Sequence, residues 1–197
     1  MPKRLTMEEK KKQTIEMLLN SAEVVFSKKG YNGASVDEIA EEAGYSKGAV
    51  YSNFTNKENL FLALYDRRFN NQLEEWEKVF EKQLDNVNRA VQVEELLISH
   101  WKISQDSKWT LLMLEFTLYA LRNEDTRQKL AIRYKQILDS MKEAISSHFN
   151  HDDMSSQKIN EIVISLLSLE TGLNILESII PHLTTEGYRA RIYREFL

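Results

Sequence analysis

The stretch SVDEIAEEAGYSKGAVYSNFTNKENL, Ser35–Leu60, decides the reading of this chain. Ser35-Val36-Asp37-Glu38 is a capping box, in which the serine hydroxyl caps the first turn and the glutamate reaches back to it. It opens a short helix that ends at Ala43, and Gly44-Tyr45 makes a turn. Ser46 caps a second short helix to about Phe54, and Asn56 caps the next, beginning at Lys57. Two short helices joined by a glycine-containing turn form a helix-turn-helix. Ala40 is small where the helices cross, Gly44 supplies a positive φ, and Val50 closes a small core with Val36, Ile39 and Phe54 against Ala22 and Phe26.

Working outward, Ile15, Leu18, Leu19, Ala22, Val25 and Phe26 recur at helical spacing, Lys28 and Lys29 fall in a last turn, and Gly30 stands where a C-terminal cap belongs. Four of the six glycines (Gly30, Gly33, Gly44, Gly48) lie within nineteen residues, which marks a tightly turned head followed by long helices. The periodicity predicts those helices at about 57–84, 90–105, 108–122, 125–149, 156–180 and 185–195. The expected fold is all-α with about nine helices, a three-helix head at residues 1–56 and a larger helical body at 57–197.

Composition agrees. At 197 residues, 42% hydrophobic and 28% charged, the chain has ordinary globular character. Six glycines and two prolines are too few turn-makers for a many-stranded sandwich or barrel. The lack of cysteine excludes disulfides, thiol catalysis and cysteine-ligated metals, and fits a reducing cytoplasm. Met1–Lys12 is charged without an apolar run, so no secretory signal is expected. The nearest approach to a membrane span, Ile162–Ile180, is interrupted by Glu170, Asn174 and Glu177. Mid-membrane charges at about 2.5–3.5 kcal/mol each make insertion unfavourable.

The net charge of −4 does not attract nucleic acid overall, but it is unevenly spread. Up to Leu60 nine basic residues balance nine acidic ones, whereas beyond it 17 face 21. On the helix after Ser46, the outward residues are Ser46, Lys47, Gly48, Tyr51, Ser52 and Asn53, none of them acidic. Hydrogen-bonding side chains, one cation and a glycine that permits close approach suit a DNA major groove. Lys57 would join free backbone N–H groups of the next helix to hold a phosphate. Ser35 and Ser46 are caps first, with base or phosphate contact as a second use. Singly, Tyr51 reads equally well as an aromatic packed on the next helix, and Lys47 and Lys57 as solvated charges. In register they point to double-stranded DNA.

The stretch from Ile15 to Leu64 resembles the TetR family of bacterial transcriptional regulators. The likeness is carried by Ala22, Phe26, Gly30-Tyr31, Ser35-Val36, Ile39-Ala40, the run Ala43-Gly44-Tyr45-Ser46-Lys47-Gly48-Ala49-Val50-Tyr51, Phe54, and Lys57-Glu58-Asn59-Leu60. It spans fifty residues, a quarter of the chain. The resemblance implies a DNA-binding head, a helical ligand-binding body, a homodimer built on the last two long helices, and repression relieved by a small molecule. A constitutive DNA-binding regulator without an effector and a helical protein-interaction adaptor are the alternatives. DNA retardation that weakens steeply with salt separates DNA binders from the adaptor.

In the body, Trp109, Leu112, Met113, Phe116 and Ala120 share one face of the 108–122 helix and Leu111, Leu114 and Leu118 the other, so both sides are expected to be buried. Trp101, Trp109, Met113, Phe116, Tyr134 and Asn174 are the candidate lining of a cavity for a small hydrophobic or aromatic effector, with a well-packed core as the plain alternative. Glu115 would recognise a cation or, the preferred reading, pair with a neighbouring helix. His148-x-x-His151-Asp152-Asp153 has metal-ligand residue types, but it stands where a helix should end and is read as solvated. No metal or cofactor is expected, and without a P-loop, Rossmann or nucleophile-elbow pattern the chain is not read as an enzyme.

The dimer expectation rests on one helix. Ile162, Leu166, Leu169, Leu173, Leu176 and Ile180 form a stripe for the chain's own core. Ile164, Ile175 and Ile179 point elsewhere, with the small residues Ser165, Ser168 and Gly172 between the stripes. Tyr188, Ile192 and Phe196 of the last helix should pack beside it against a second copy. The alternative is that the 125–149 helix covers the second stripe within one chain.

Overall fold

Helix starts in this chain are placed by side chains that replace missing backbone partners. In the computed structural model, which describes residues 6–81, 106–146 and 155–196, the head helices are α1 (Met7–Gly33), α2 (Val36–Ala43) and α3 (Lys47–Asn53). Thr6 and Glu9 form a capping box that starts α1 well before its apolar pattern, a signal the periodicity reading passed over. Ser35 and Glu38 form the second, with Ser35 Oγ accepting the Glu38 N–H at 3.2 Å and the Glu38 carboxylate accepting the Ser35 N–H at 3.0 Å. Ser46 Oγ caps α3 by accepting the Ala49 N–H at 3.2 Å.

Gly44 ends α2 in the left-handed region at φ 69°. Ala22, Phe26, Val36, Ile39, Ala40, Val50 and Phe54 are all buried, as the helix-turn-helix reading requires. Gly30 differs from expectation. It is a kink at φ 72°, ψ 172°, after which the helical turn resumes as far as Gly33, and Ala34 is the cap.

After the head come α4 (Lys57–Glu81), α5 (Ser107–Leu121), α6 (Glu124–Ser146), α7 (Ser156–Ile179) and α8 (Glu186–Phe196), and no strand occurs among the described residues. The all-α expectation holds. The helix expected at 90–105 lies outside the described residues, as do His148, His151, Asp152 and Asp153. The chain forms two compact units, Met1–Arg68 with Leu112–Thr126, and Phe69–Leu111 with Arg127–Leu197. Compactness thus groups the start of α4 and most of α5 with the head.

The first unit is held by aromatic packing. Phe61 of α4 stacks on Phe116 of α5 at 4.1 Å between centroids, and Tyr31 meets Phe116 edge-on at 4.9 Å and Phe61 at 5.3 Å. Such pairs contribute about 0.5–1.5 kcal/mol each beyond their buried area. Arg67 of α4 ties back to α1 through Asn20 (2.7 Å) and Glu23 (2.6 Å).

The core of the second unit is Met141 and Ile145 of α6, Ile159, Ile162, Val163 and Leu166 of α7, and Tyr193 of α8. The α7 stripe is not buried along its whole length. Leu173 is buried, but Leu176 and Ile180 are exposed in the single chain. The buried row turns instead through Glu170, because the carboxylate finds a partner there. Arg189 of α8, with no exposed surface, donates to Glu170 at 2.6 Å, to Glu177 at 2.8 Å and to Thr184 Oγ1 at 3.1 Å. The Tyr193 hydroxyl donates to Glu170 as well. Burial pushes the Glu170 carboxyl above the usual carboxylate range. Burial also pushes Glu177 upward, but Thr184 and Arg189 outweigh it and hold that carboxyl low.

By length and composition alone α7 would span a bilayer, yet this central carboxylate is buried against α8, as in the core helix of a folded domain. Breaking the buried pair from one side should be costly. Arg189→Met is expected to lower stability by about 3–5 kcal/mol in urea denaturation, and Glu170→Leu/Arg189→Met to recover most of the loss.

Candidate nucleic-acid interface

The face presented by α3 is built from side chains the fold itself hardly uses. Val50 is the one fully buried residue of the helix and anchors it in the head core. Tyr51 is 46% exposed, and it is neither packed away nor part of the aromatic cluster of the head. Ser52 Oγ and Asn53 Nδ2 both donate to the Ala49 carbonyl, at 2.9 and 2.8 Å, and Asn53 Nδ2 also donates to Ser52 Oγ at 3.3 Å, which holds both side chains against the helix.

Lys47 pairs with Asp37 of α2 at 2.8 Å, and that hydrogen bond raises its pKa. Both partners are exposed, so the pair is weak and a phosphate can replace it. A Cβ added at Gly48 would meet nothing nearer than Ser46 Oγ at 3.7 Å. Nothing among the described residues therefore requires a glycine there.

The remaining predicted DNA residues fall differently. Ser35 is occupied as the cap of α2. Lys57 was expected to act with free N–H groups, but its ammonium is turned toward carbonyls at the end of α1. It donates to Tyr31 O at 2.9 Å and Ala34 O at 3.0 Å, 4.7 Å above the centre of the Tyr31 ring. Burial holds it below the usual lysine range. The carbonyls left over by the Gly30 kink attract the cation, a partner that spacing along the chain does not reveal.

Residues 18–64 match the model of the bacterial regulatory proteins, tetR family. The head is thus a DNA-binding domain of the TetR type. It is 26% identical over 176 residues to the HTH-type transcriptional regulator YfiR of Bacillus subtilis, covering 88% of this chain and 83% of that one. In three dimensions it is similar to a regulator from Mesorhizobium loti assigned to the TetR family, with a TM-score of 0.73, 18% identity and 94% of each chain covered. It is also similar to the regulator FadR of Bacillus subtilis in complex with stearoyl-CoA, with a TM-score of 0.66, 18% identity, and coverage of 91% of this chain and 95% of that one. The protein is a DNA-binding transcriptional regulator and not an enzyme.

The candidate effector residues are dispersed. Trp101 lies outside the described residues. Phe116 is fully buried in the aromatic cluster with Tyr31 and Phe61. Trp109, Met113 and Tyr134 are half-buried. Asn174 borders a cleft of about 270 Å³ with Ser107, Thr110, Glu177, Ser178, Pro181, His182 and Thr184, a polar rather than apolar lining. The expectation that α5 is buried on both sides fails. Leu112, Phe116 and Ala120 are buried, whereas Leu111 and Leu118 are more than half exposed, because the helix carries more apolar surface than one chain covers. Among the described residues Glu115 forms no ion pair. Its carboxylate accepts the Tyr31 N–H at 2.8 Å.

On the dimer face, Ile164, Ser168, Gly172 and Ile179 are exposed, Ser165 and Ile175 half-buried, Tyr188 exposed and Ile192 half-buried, while the Phe196 side chain lies outside the described residues. The sequence reading missed the Glu170–Arg189–Tyr193 network, although a carboxylate on an apolar row and an Arg/Tyr pair four residues apart were visible signals. Gly48→Ala separates fold from recognition. It is expected to stabilise the head by a few tenths to about 1 kcal/mol in thermal melts and to weaken DNA retardation.

Proposed function

We propose that the protein is a homodimeric repressor whose two α3 helices enter successive major grooves of a quasi-palindromic operator about 34–36 Å apart. The observation that carries this reading is the outward face of α3, where Gly48 has no internal reason to be glycine and Tyr51 stands exposed. Residues 1–56 serve as the DNA-binding domain and 57–197 as the effector-binding and dimerisation domain. Ser46, Lys47, Gly48, Tyr51, Ser52 and Asn53 contact DNA, while Ser35 and Lys57 act mainly by holding α2 and the end of α1 in place. As a bacterial DNA-binding regulator it works in the cytoplasm, where the operator is.

The second copy is proposed to cover α7 and α8. Ile164 (46%) and Ile179 (72%) are poor surface for a monomer, and a Cβ at the exposed Gly172 would meet nothing within 4 Å among the described residues, which leaves room for a partner helix. A small hydrophobic or aromatic effector in the body would favour a dimer posture with the wrong half-site spacing and release DNA by differential affinity for the two states. The FadR complex with stearoyl-CoA, which carries a long acyl chain, is a fold-level precedent for a ligand with a large apolar part. One observation favours the constitutive alternative: Phe116, expected to line a cavity, is packed solidly on Phe61.

Tyr51→Ala is expected to weaken operator retardation at least about tenfold with an unchanged melting curve, since a groove contact of this kind is worth about 1–3 kcal/mol. Unchanged affinity in a folded Tyr51→Ala protein would remove α3 as the DNA face. In sedimentation the wild type should run as a dimer at micromolar concentration and Gly172→Arg as a monomer with impaired operator binding. A monomeric wild type would overturn both the interface and the two-half-site operator.

A further inference from the structure

Glu115 stands on α5, outside the α3 face, yet it grips the backbone that leads into the helix-turn-helix. At φ 72°, ψ 172°, Gly30 occupies a region that essentially only glycine visits. The kink leaves the Tyr31 N–H to be satisfied from elsewhere, and Glu115 Oε2 accepts it at 2.8 Å. A Cβ at Gly30 would run into that carboxylate. The other side of the same residue is held too, since the Tyr31 carbonyl accepts from Lys57 Nζ at 2.9 Å. An anion from α5 and a cation from α4 therefore clamp one residue of α1, each through a charge-assisted bond. Lys57 also reaches Ala34 O, directly before the Ser35 cap at which α2 begins. The backbone fixed by this clamp is the one that runs into the cap of α2.

We propose that Glu115 is a positioning residue for operator recognition: through the Tyr31 N–H its carboxylate holds the end of α1, and with it the α2–α3 pair, in the posture that reads DNA. The inference rests on α3 being the DNA face. Without the carboxylate the head samples more postures, and apparent affinity falls with the fraction that is competent. Phosphate attraction that is indifferent to sequence depends on exposed charges such as Lys47 and survives.

The test compares wild type, Glu115→Ala, Glu115→Gln and Tyr51→Ala on two probes. One is an operator selected by the wild-type protein from random DNA, and the other is a random-sequence duplex of equal length. Glu115→Ala is expected to lose about tenfold or more in operator affinity while keeping its salt slope and its affinity for the random duplex. Glu115→Gln, which retains an oxygen to accept the N–H, should recover most of that loss. The inference is overturned if Glu115→Ala binds the operator like wild type while Tyr51→Ala is weakened. It is also overturned if Glu115→Ala loses operator and random duplex together, which would mark a general loss of the fold. Should both Glu115→Ala and Tyr51→Ala keep full operator affinity, the α3 reading falls and this inference with it.

Discussion

Tyr31 is where the helices of the head unit are tied together. Its ring is buried between Phe61 and Phe116, its N–H is taken by Glu115 and its carbonyl by Lys57. None of this is open to a continuous helix, in which the Tyr31 N–H would be spent within α1. The break at Gly30 leaves both backbone polar groups of Tyr31 free of the helix, and a buried polar group must then find a partner. The two partners come from α4 and α5, so satisfying one kink fixes the directions of three helices.

A second polar junction orders the other unit. Arg189 joins Glu170, Glu177 and Thr184, and Tyr193 adds its hydroxyl to Glu170. A buried ion pair of this kind adds little net stability over apolar packing, because desolvation offsets most of the attraction. Its consequence is register. Glu170 is well placed only when Arg189 and Tyr193, one turn apart on α8, both face it. That single arrangement leaves Ile164, Leu176 and Ile179 on the outside of α7.

The caps and turns of the head are set by neighbours close in sequence, and so its helices could be read residue by residue. The capping box at Ser35, the left-handed Gly44 and the cap at Ser46 are local events, decided by groups three or four residues apart. The buried set Ala22, Phe26, Ile39, Val50 and Phe54 follows from spacing once those caps are placed. The body yielded less. Periodicity assigned Leu176 and Ile180 to the core and both sides of α5 to the interior, but apolar residues outnumber the surface that a single chain can cover. Which of them stay outside is settled by neighbours distant in sequence.

The amino-acid sequence by itself determined that the chain is helical, that a helix-turn-helix occupies its first quarter, and that α3 presents Lys47, Gly48, Tyr51, Ser52 and Asn53 outward. Capping, glycine conformation and helical period are short-range and leave their mark in the order of residues. Only the tertiary structure decided that Lys57 faces carbonyls, that Glu115 accepts a backbone N–H eighty-four residues away, and that Glu170 is paired rather than exposed. A charged side chain shows its valence in the sequence, but its partner is chosen by whichever unsatisfied group the packing brings within about 3 Å.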